Sequence, residues 1–323
     1  MADSKRTKLN DTTIYREMLW YHLGPFNRAT GYAHRVSHNA LWKSGRHLIQ
    51  LAWRTLRYGQ RGSIDVPFAA LPSIWVVCST KNHYDTLGFL VDLLPEAGWV
   101  ATNKSAARLA GAPRLSWHTS LNQLFRFPNR FRSLIPDFGR ELRDNWFLLF
   151  RVNGFYEAAL EILKHGQPRM IIFSNDHEPE ARSLLFAAKK RGIPTVYLQH
   201  ASVTDFFPPL RFDLSLLEGQ ATLDVYRRVG PVTGRVEFIG MPKFDGFVDR
   251  TNRNDVIQKV GVCISFLDEE DRVVYLLEQL ARHFPDMSIS FRAHPRDNRS
   301  FAVPATVSIS INSTLPVTGP TRR

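Results

Sequence analysis

The stretch Met170–His200, MIIFSNDHEPEARSLLFAAKKRGIPTVYLQH, decides the fold. It opens with an apolar run, Met170-Ile-Ile-Phe-Ser174, that ends in the polar cluster Asn175-Asp176-His177-Glu178. Pro179 to Arg191 reads as a helix, Gly192-Ile-Pro-Thr195 as a turn, and Val196-Tyr-Leu-Gln199 as a second strand. Two short apolar strands joined by about a dozen helical residues make a β-α-β unit, whose strands run parallel with a right-handed crossover.

The alternation continues downstream. Leu214–Leu217 reads as a strand, Ala221–Val229 as a helix and Val236–Ile239 as a strand ending in Gly240-Met-Pro-Lys-Phe-Asp245. After a polar stretch, Val260–Phe266 (strand), Glu269–Phe284 (helix) and Met287–Phe291 (strand) form a new unit; the turn Phe291-Arg-Ala-His-Pro295 follows, and Val307–Ile311 reads as one more strand. Upstream, Ile74–Cys78 is a short buried strand, Asp85–Leu94 a helix and Trp99–Thr102 a second strand. Pro113–Pro136 reads as irregular and basic, and one long helix is expected from about Asp137 to His165, stopped by Gly166 and Pro168. Strand and helix alternate throughout, so the class is α/β with mostly parallel sheets covered on both faces.

The 323 residues are enough for two domains, and 44% hydrophobic with 22% charged residues is ordinary for a globular chain. The expected organisation is a basic helical segment over 1–65, a first Rossmann-like domain over 66–245, a linker over 246–256 and a second Rossmann-like domain over 257–323. That last region has 67 residues, short for an independent α/β domain, so it is expected to be incomplete, with Asn312-Ser313-Thr314 as the place where the continuation is lost. Two cysteines, Cys78 and Cys263, each sit in a strand-like run, which fits a reducing compartment better than a disulfide framework. No run reaches the length of a spanning helix, and the N-terminus lacks the apolar region of a signal peptide, so a cytoplasmic location is expected.

The formal charge of +12 points toward phosphates, anionic lipid or nucleic acid. Ile14–Arg61 holds eight Lys/Arg against a single acid, Glu17, together with Trp20, Trp42 and Trp53. Apolar residues recur at helical spacing from Asn39 to Tyr58, so this segment is expected either to lie peripherally on an anionic membrane or to pack as an ordinary surface helix. It matches no nucleic-acid recognition module, and nucleic acid is not expected as a partner.

In parallel sheets, ligands bind beyond the carboxyl ends of the strands. Three polar groups fall there: Asn175 to Glu178, His200, and Arg292 with His294. Asp176, His177, Glu178 and Glu180 are possible bases, and carboxylates here are alternatively caps for the helix that starts near Pro179. Taken in order, Tyr197-Leu-Gln-His200, Gly240-Met-Pro-Lys-Phe-Asp245 and Phe291-Arg-Ala-His-Pro295 resemble the GT-B glycosyltransferases of cell-surface polymer synthesis. The nearest groups are the CDP-glycerol glycerophosphotransferases and the bacterial polysialyltransferases and capsule transferases.

The resemblance spans about Ile74 to Ile311 and implies a two-domain GT-B-like fold. It also implies that His200 serves as an acceptor-side base or orienting group, although Ala201 stands where the family has glycine; the family's acidic first-domain motif includes a glycine this sequence lacks, and Asp176 or His177 is the candidate base in its place. His294 with Arg292 or Arg296 would hold the leaving nucleotide phosphate, and Glu178, Glu180 and Lys243 are further acceptor-side candidates. The implied function is transfer of a sugar or polyol-phosphate unit from a CMP-, CDP- or UDP-type donor to a glycan or lipid-linked acceptor, with no cofactor and no metal, there being no Asp-x-Asp motif. A UDP-sugar 2-epimerase and a non-catalytic membrane-associated protein of the same fold are the alternatives.

Overall fold

The structure is a computed structural model that describes residues 10–25, 45, 49, 52–53, 63–64, 67–116, 125–247, 256–264, 268–294 and 297–309. The chain divides into two compact units, Met1–Phe247 and Val248–Arg323. Each is built on a parallel sheet, so the class is α/β with mostly parallel sheets, as the sequence predicts.

In the first unit the sheet strands are β1 (Ile74–Cys78), β2 (Ala97–Ala101), β3 (Met170–Phe173), β4 (Thr195–Leu198), β5 (Leu214–Leu217) and β6 (Arg235–Phe238). They lie side by side in the order β2-β1-β3-β4-β5-β6, every pair parallel. The helices are α1 (Asp11–Leu23), α2 (Lys81–Leu93), α3 (Lys104–Ala110), α4 (Phe127–Asp144), α5 (Trp146–Gly166), α6 (Pro179–Arg191) and α7 (Gln220–Val229).

Successive side chains of a strand point to opposite faces, and here both faces are dry. Trp75, Val77, Ile171, Phe173 and Tyr197 enter one core with residues of α1, α4, α5 and α6, whereas Val76, Ile172, Val196 and Leu198 enter another with Leu87 of α2. That two-sided burial is why the strands read as unbroken apolar runs. At the end of α6, Gly192 adopts φ +74 and its N–H reaches the carbonyls of Ala188 and Lys189, the left-handed cap that lets the chain turn into β4.

Two expectations are corrected. The single helix from Asp137 to His165 is instead two helices, α4 and α5, broken at Asn145, whose backbone is non-helical (φ −126, ψ 33). Helix α4 begins inside the stretch expected to be irregular, because Phe127, Phe131, Leu134, Phe138 and Leu142 recur every three or four residues and face the core, despite Pro128 and Pro136. Gly139, at φ +47, takes up the kink that results.

The second correction concerns the basic segment. Its first part is no membrane element: Ile14, Tyr15, Met18, Leu19 and Leu23 of α1 are buried in the main core. Residues 45, 49, 52 and 53 are helical, with Ile49 and Trp53 exposed. The rest of 26–61 lies outside the described residues, as do most of the expected linker (248–255) and the Asn312–Thr314 stretch.

Helix α1 is fastened by charge as well as by packing. Glu17, 2% exposed, accepts from Arg182 Nη2 of α6 at 2.7 Å and from Arg211 Nη2 at 2.7 Å and Nε at 3.0 Å. Burial pulls the Arg182 guanidinium down in pKa, while Glu17 and Asp176 pull it back up.

The second unit contains β7 (Lys259–Cys263), α8 (Glu270–His283), β8 (Ser288–Arg292) and β9 (Val307–Ile309), with β8 central and all three strands parallel. Val273 and Leu277 of α8 pack on Ile289, Phe291 and Val307.

Replacing Glu17 with Ala leaves two guanidinium groups without their shared counter-charge, a defect that typically costs about 3–5 kcal/mol. We expect Glu17→Ala to lose that much in urea unfolding, well beyond the change for an exposed pair partner such as Glu96→Ala.

Candidate functional site

The strand order reverses between β1 and β3, and in an open parallel sheet the crevice beyond the strand ends at such a reversal is the place for a ligand. Residues that follow β1, β3 and β4 meet there. From β3 come Ser174, Asn175, Asp176, His177 and Glu178. Ser174 Oγ donates to Leu198 O at 2.9 Å, tying the ends of β3 and β4 together. Asn175 Oδ1 accepts from the N–H groups of His177 (3.1 Å) and Glu178 (2.8 Å), so it is an amide, not a carboxylate, that organises the start of α6. Glu178, at the cap position, makes no side-chain cap bond. Asp176 and Glu178 are thereby released from the capping role that was their alternative, whereas Glu180 stays in the first turn of α6.

Asp176 is 1% exposed. Its Oδ1 accepts from His177 Nδ1 at 3.1 Å and its Oδ2 from the Tyr226 hydroxyl of α7, which lies 3.5 Å from the Tyr197 hydroxyl. Burial raises a carboxyl's pKa, but the bonds from His177 and Tyr226 and the nearby Arg182 outweigh it and hold Asp176 below its ordinary value. Burial and the Asp176 charge push both tyrosines well above theirs, so they remain protonated donors.

His200 follows β4. Its turn is held by Gln199, whose Nε2 donates to Ala201 O (3.0 Å) and Thr222 Oγ1 (3.2 Å) and whose Oε1 accepts from the Glu218 N–H (2.8 Å). Lys243 Nζ donates to His200 O at 2.6 Å. The His200 Nδ1 atom is buried and has no hydrogen-bond partner. Burial lowers the pKa of His200 despite the opposing pull of Asp176, leaving a neutral imidazole.

His83 completes the group from the β1 side. Its ring meets that of His200 edge-on at 4.9 Å, and its Nδ1 accepts from the Ser79 N–H at 3.3 Å, which leaves its own proton on Nε2. Burial, then His200 and His177, lower its pKa to about 3. Helix α1 adds Tyr21 and His22: His22 Nε2 lies 3.6 Å from Glu178 Oε2, and His177 stacks on Phe207 (4.4 Å) and leans on Tyr21 (4.6 Å).

Of the residues expected from sequence, the structure brings Asp176, His177, Glu178, His200 and Lys243 together. Glu180 turns to Arg151 of α5, at 3.5 Å, and its pKa is raised by burial. Arg292 and His294 lie at and just past the end of the central strand β8 of the second unit, with the Arg292 carbonyl accepting from the Ile264 N–H at 3.2 Å. Arg296 lies outside the described residues. His22, His83 and Tyr226 were not anticipated. The strand-end rule applied to Ile74–Cys78 would have found His83, since α2 starts at Lys81, four residues earlier than the pattern suggested. Among the described residues no group of three or more His, Cys, Asp or Glu side chains is arranged to hold a metal ion, and no helix is long and apolar enough to cross a membrane.

No family model and no curated protein sequence matches the chain. Solved structures similar to it include UDP-N-acetylglucosamine 2-epimerase from Rickettsia bellii, at 13% identity over 74% of this chain and 68% of that one, with a TM-score of 0.43. UDP-GlcNAc 2-epimerase from Methanocaldococcus jannaschii, in complex with UDP-GlcNAc and UDP, is 11% identical over 73% and 72%, with a TM-score of 0.41. The glycosyltransferase SnogD from Streptomyces nogalater is 14% identical over 73% and 70%, with a TM-score of 0.34.

His83 stays neutral in the fold down to about pH 3, whereas in the unfolded chain it takes a proton near its ordinary value of 6.5. The unfolded state therefore binds more protons between those limits, and stability falls as pH drops below about 6.5, by up to about 1.4 kcal/mol per pH unit. In His83→Gln, which keeps an acceptor for the Ser79 N–H, chemical denaturation at pH 6.5 and 4.5 should show a stability loss smaller than the wild type's by about 2–3 kcal/mol.

Proposed function

We propose that the chain is a nucleotide-sugar enzyme of the transferase type, moving a sugar or polyol-phosphate unit from a cytidine or uridine nucleotide to an acceptor hydroxyl on a glycan or lipid-linked acceptor. The observation that carries this reading is His200: an imidazole beyond a strand end, held toward its neutral form by burial with the charge of Asp176 acting on it. Such a group is suited to take a proton from a hydroxyl as the oxygen attacks, and the nearby carboxylate stabilises the imidazolium that forms. In the step, the acceptor oxygen forms a bond to the donor's carbon or phosphorus, the bond to the nucleotide phosphate breaks, and the proton passes to His200. Within the second unit, Arg292 and His294 are assigned by themselves to binding a nucleotide phosphate, a guanidinium and an imidazole being suited to anionic oxygens.

A second reading is favoured by one feature. His83, His177, His200, Asp176 and Glu178 place several proton carriers around one crevice, which is what epimerisation of a UDP-sugar needs, since it removes and returns a proton without an acceptor. Nucleotide-sugar turnover with and without added acceptor separates the two: acceptor-dependent nucleotide release supports transfer, and acceptor-independent turnover supports epimerisation.

For either chemistry, His200→Gln and Asp176→Asn should lower turnover by at least about a hundredfold while nucleotide affinity changes by less than about threefold. Arg292→Ala and His294→Ala should do the reverse, weakening binding of the best of CMP, CDP, UDP and GDP in calorimetry by about tenfold or more with an unchanged melting temperature. Unchanged turnover in the first pair would make the His200–Asp176 site structural.

A further inference from the structure

Among the described residues, strand β6 is an outer strand of the main sheet. Arg235 N–H and Ile239 N–H donate to Asp213 O and Leu217 O, both at 2.9 Å, on the β5 side. Backbone groups alternate in direction along a strand, so those of Val236 and Phe238 point outward, away from β5. The strand is a short edge of four residues that carries the charges of Arg235 and Glu237 and has no proline or lysine within it. Phe238 is 49% exposed and Ile239 39%.

The side chains of β6 divide cleanly. Arg235 and Glu237 share one face, with Arg235 Nε 2.5 Å from Glu237 Oε1, and are 76% and 46% exposed. Val236 and Phe238 share the other face and line a cavity of about 730 Å³ with Leu223 of α7, Val232 and Gly234.

We propose that β6 pairs antiparallel with β6 of a second copy of this chain, about a two-fold axis through Val236, to make a continuous sheet across the dimer. That register follows from two features. The outward N–H and C=O of Val236 are exchanged with those of the partner's Val236, the hydrogen-bonded pair of an antiparallel ladder. Arg235 lies directly opposite the partner's Glu237 and the reverse, so the like charges that oppose each other in other registers are avoided and each cation is flanked by two carboxylates. A contact that maps residue i on j and j on i is the self-complementary kind a two-fold dimer requires.

The test uses the full chain in sedimentation velocity over a range of concentrations, with Arg235→Glu, Glu237→Arg, Val236→Pro and an equimolar mixture of the two charge variants. Both charged side chains are largely exposed and the Val236 N–H is unused within the sheet, so each variant should keep the wild-type circular dichroism. Wild type is expected to dimerise, and each single variant to bind itself on the order of tenfold or more weakly. The mixture is expected to recover the dimer, because the two carboxylates on the edge of one variant then face the two guanidinium groups on the edge of the other. A wild type that stays monomeric, charge variants that dimerise as wild type does, or a mixture that stays monomeric would overturn the proposal.

Discussion

Glu17 sits between Arg182 and Arg211, and the first unit depends on that arrangement. One carboxylate takes out of water two guanidinium groups that the sheet's helical layer would otherwise bury at great cost. It also fixes α1 against α6, and α1 in turn brings Tyr21 and His22 to the rim of the crevice. Arg182 links the two regions in a second way, since its charge contributes to holding Asp176 ionised. The charge balance of the core and the protonation of the candidate site are thus parts of one electrostatic system.

Within the crevice the same burial acts on different groups in opposite directions. It drives His83 and His200 toward the neutral form and Tyr197 and Tyr226 toward the protonated form, while the hydrogen bonds around Asp176 reverse its effect on that one carboxylate. The outcome is an anion set among neutral rings.

Much of the fold was legible because the strands are buried on both faces and therefore read as short apolar runs: β1, β3, β4 and β5 lie where Ile74–Cys78, Met170–Phe173, Val196–Gln199 and Leu214–Leu217 placed them, to within a residue or so. The residues beyond those strand ends, Asp176, His177 and His200, were legible for the same reason. What was hidden depended on long-range pairing. Glu17 looked like the exception in a basic surface segment until its partners, both distant in sequence, were known, and His22 was hidden with it. Helix α4 was masked by its prolines, and Tyr226 belongs to an amphipathic helix whose pattern shows which side is apolar but not that one hydroxyl on it reaches a carboxylate fifty residues away.

The sequence separation of the Glu17 contacts also bears on how the chain is made. Arg182 and Arg211 lie 165 and 194 residues after it. During synthesis α1 emerges before the sheet, yet its charged anchor is complete only once residue 211 has left the ribosome, after β1 to β4 and α6. Contacts that close such long loops form late, because the entropy of closure is lost before the contact rewards it. Until α4, α5 and α6 have followed it, α1 therefore presents the apolar face of Ile14, Met18, Leu19 and Leu23 without the helices that cover it.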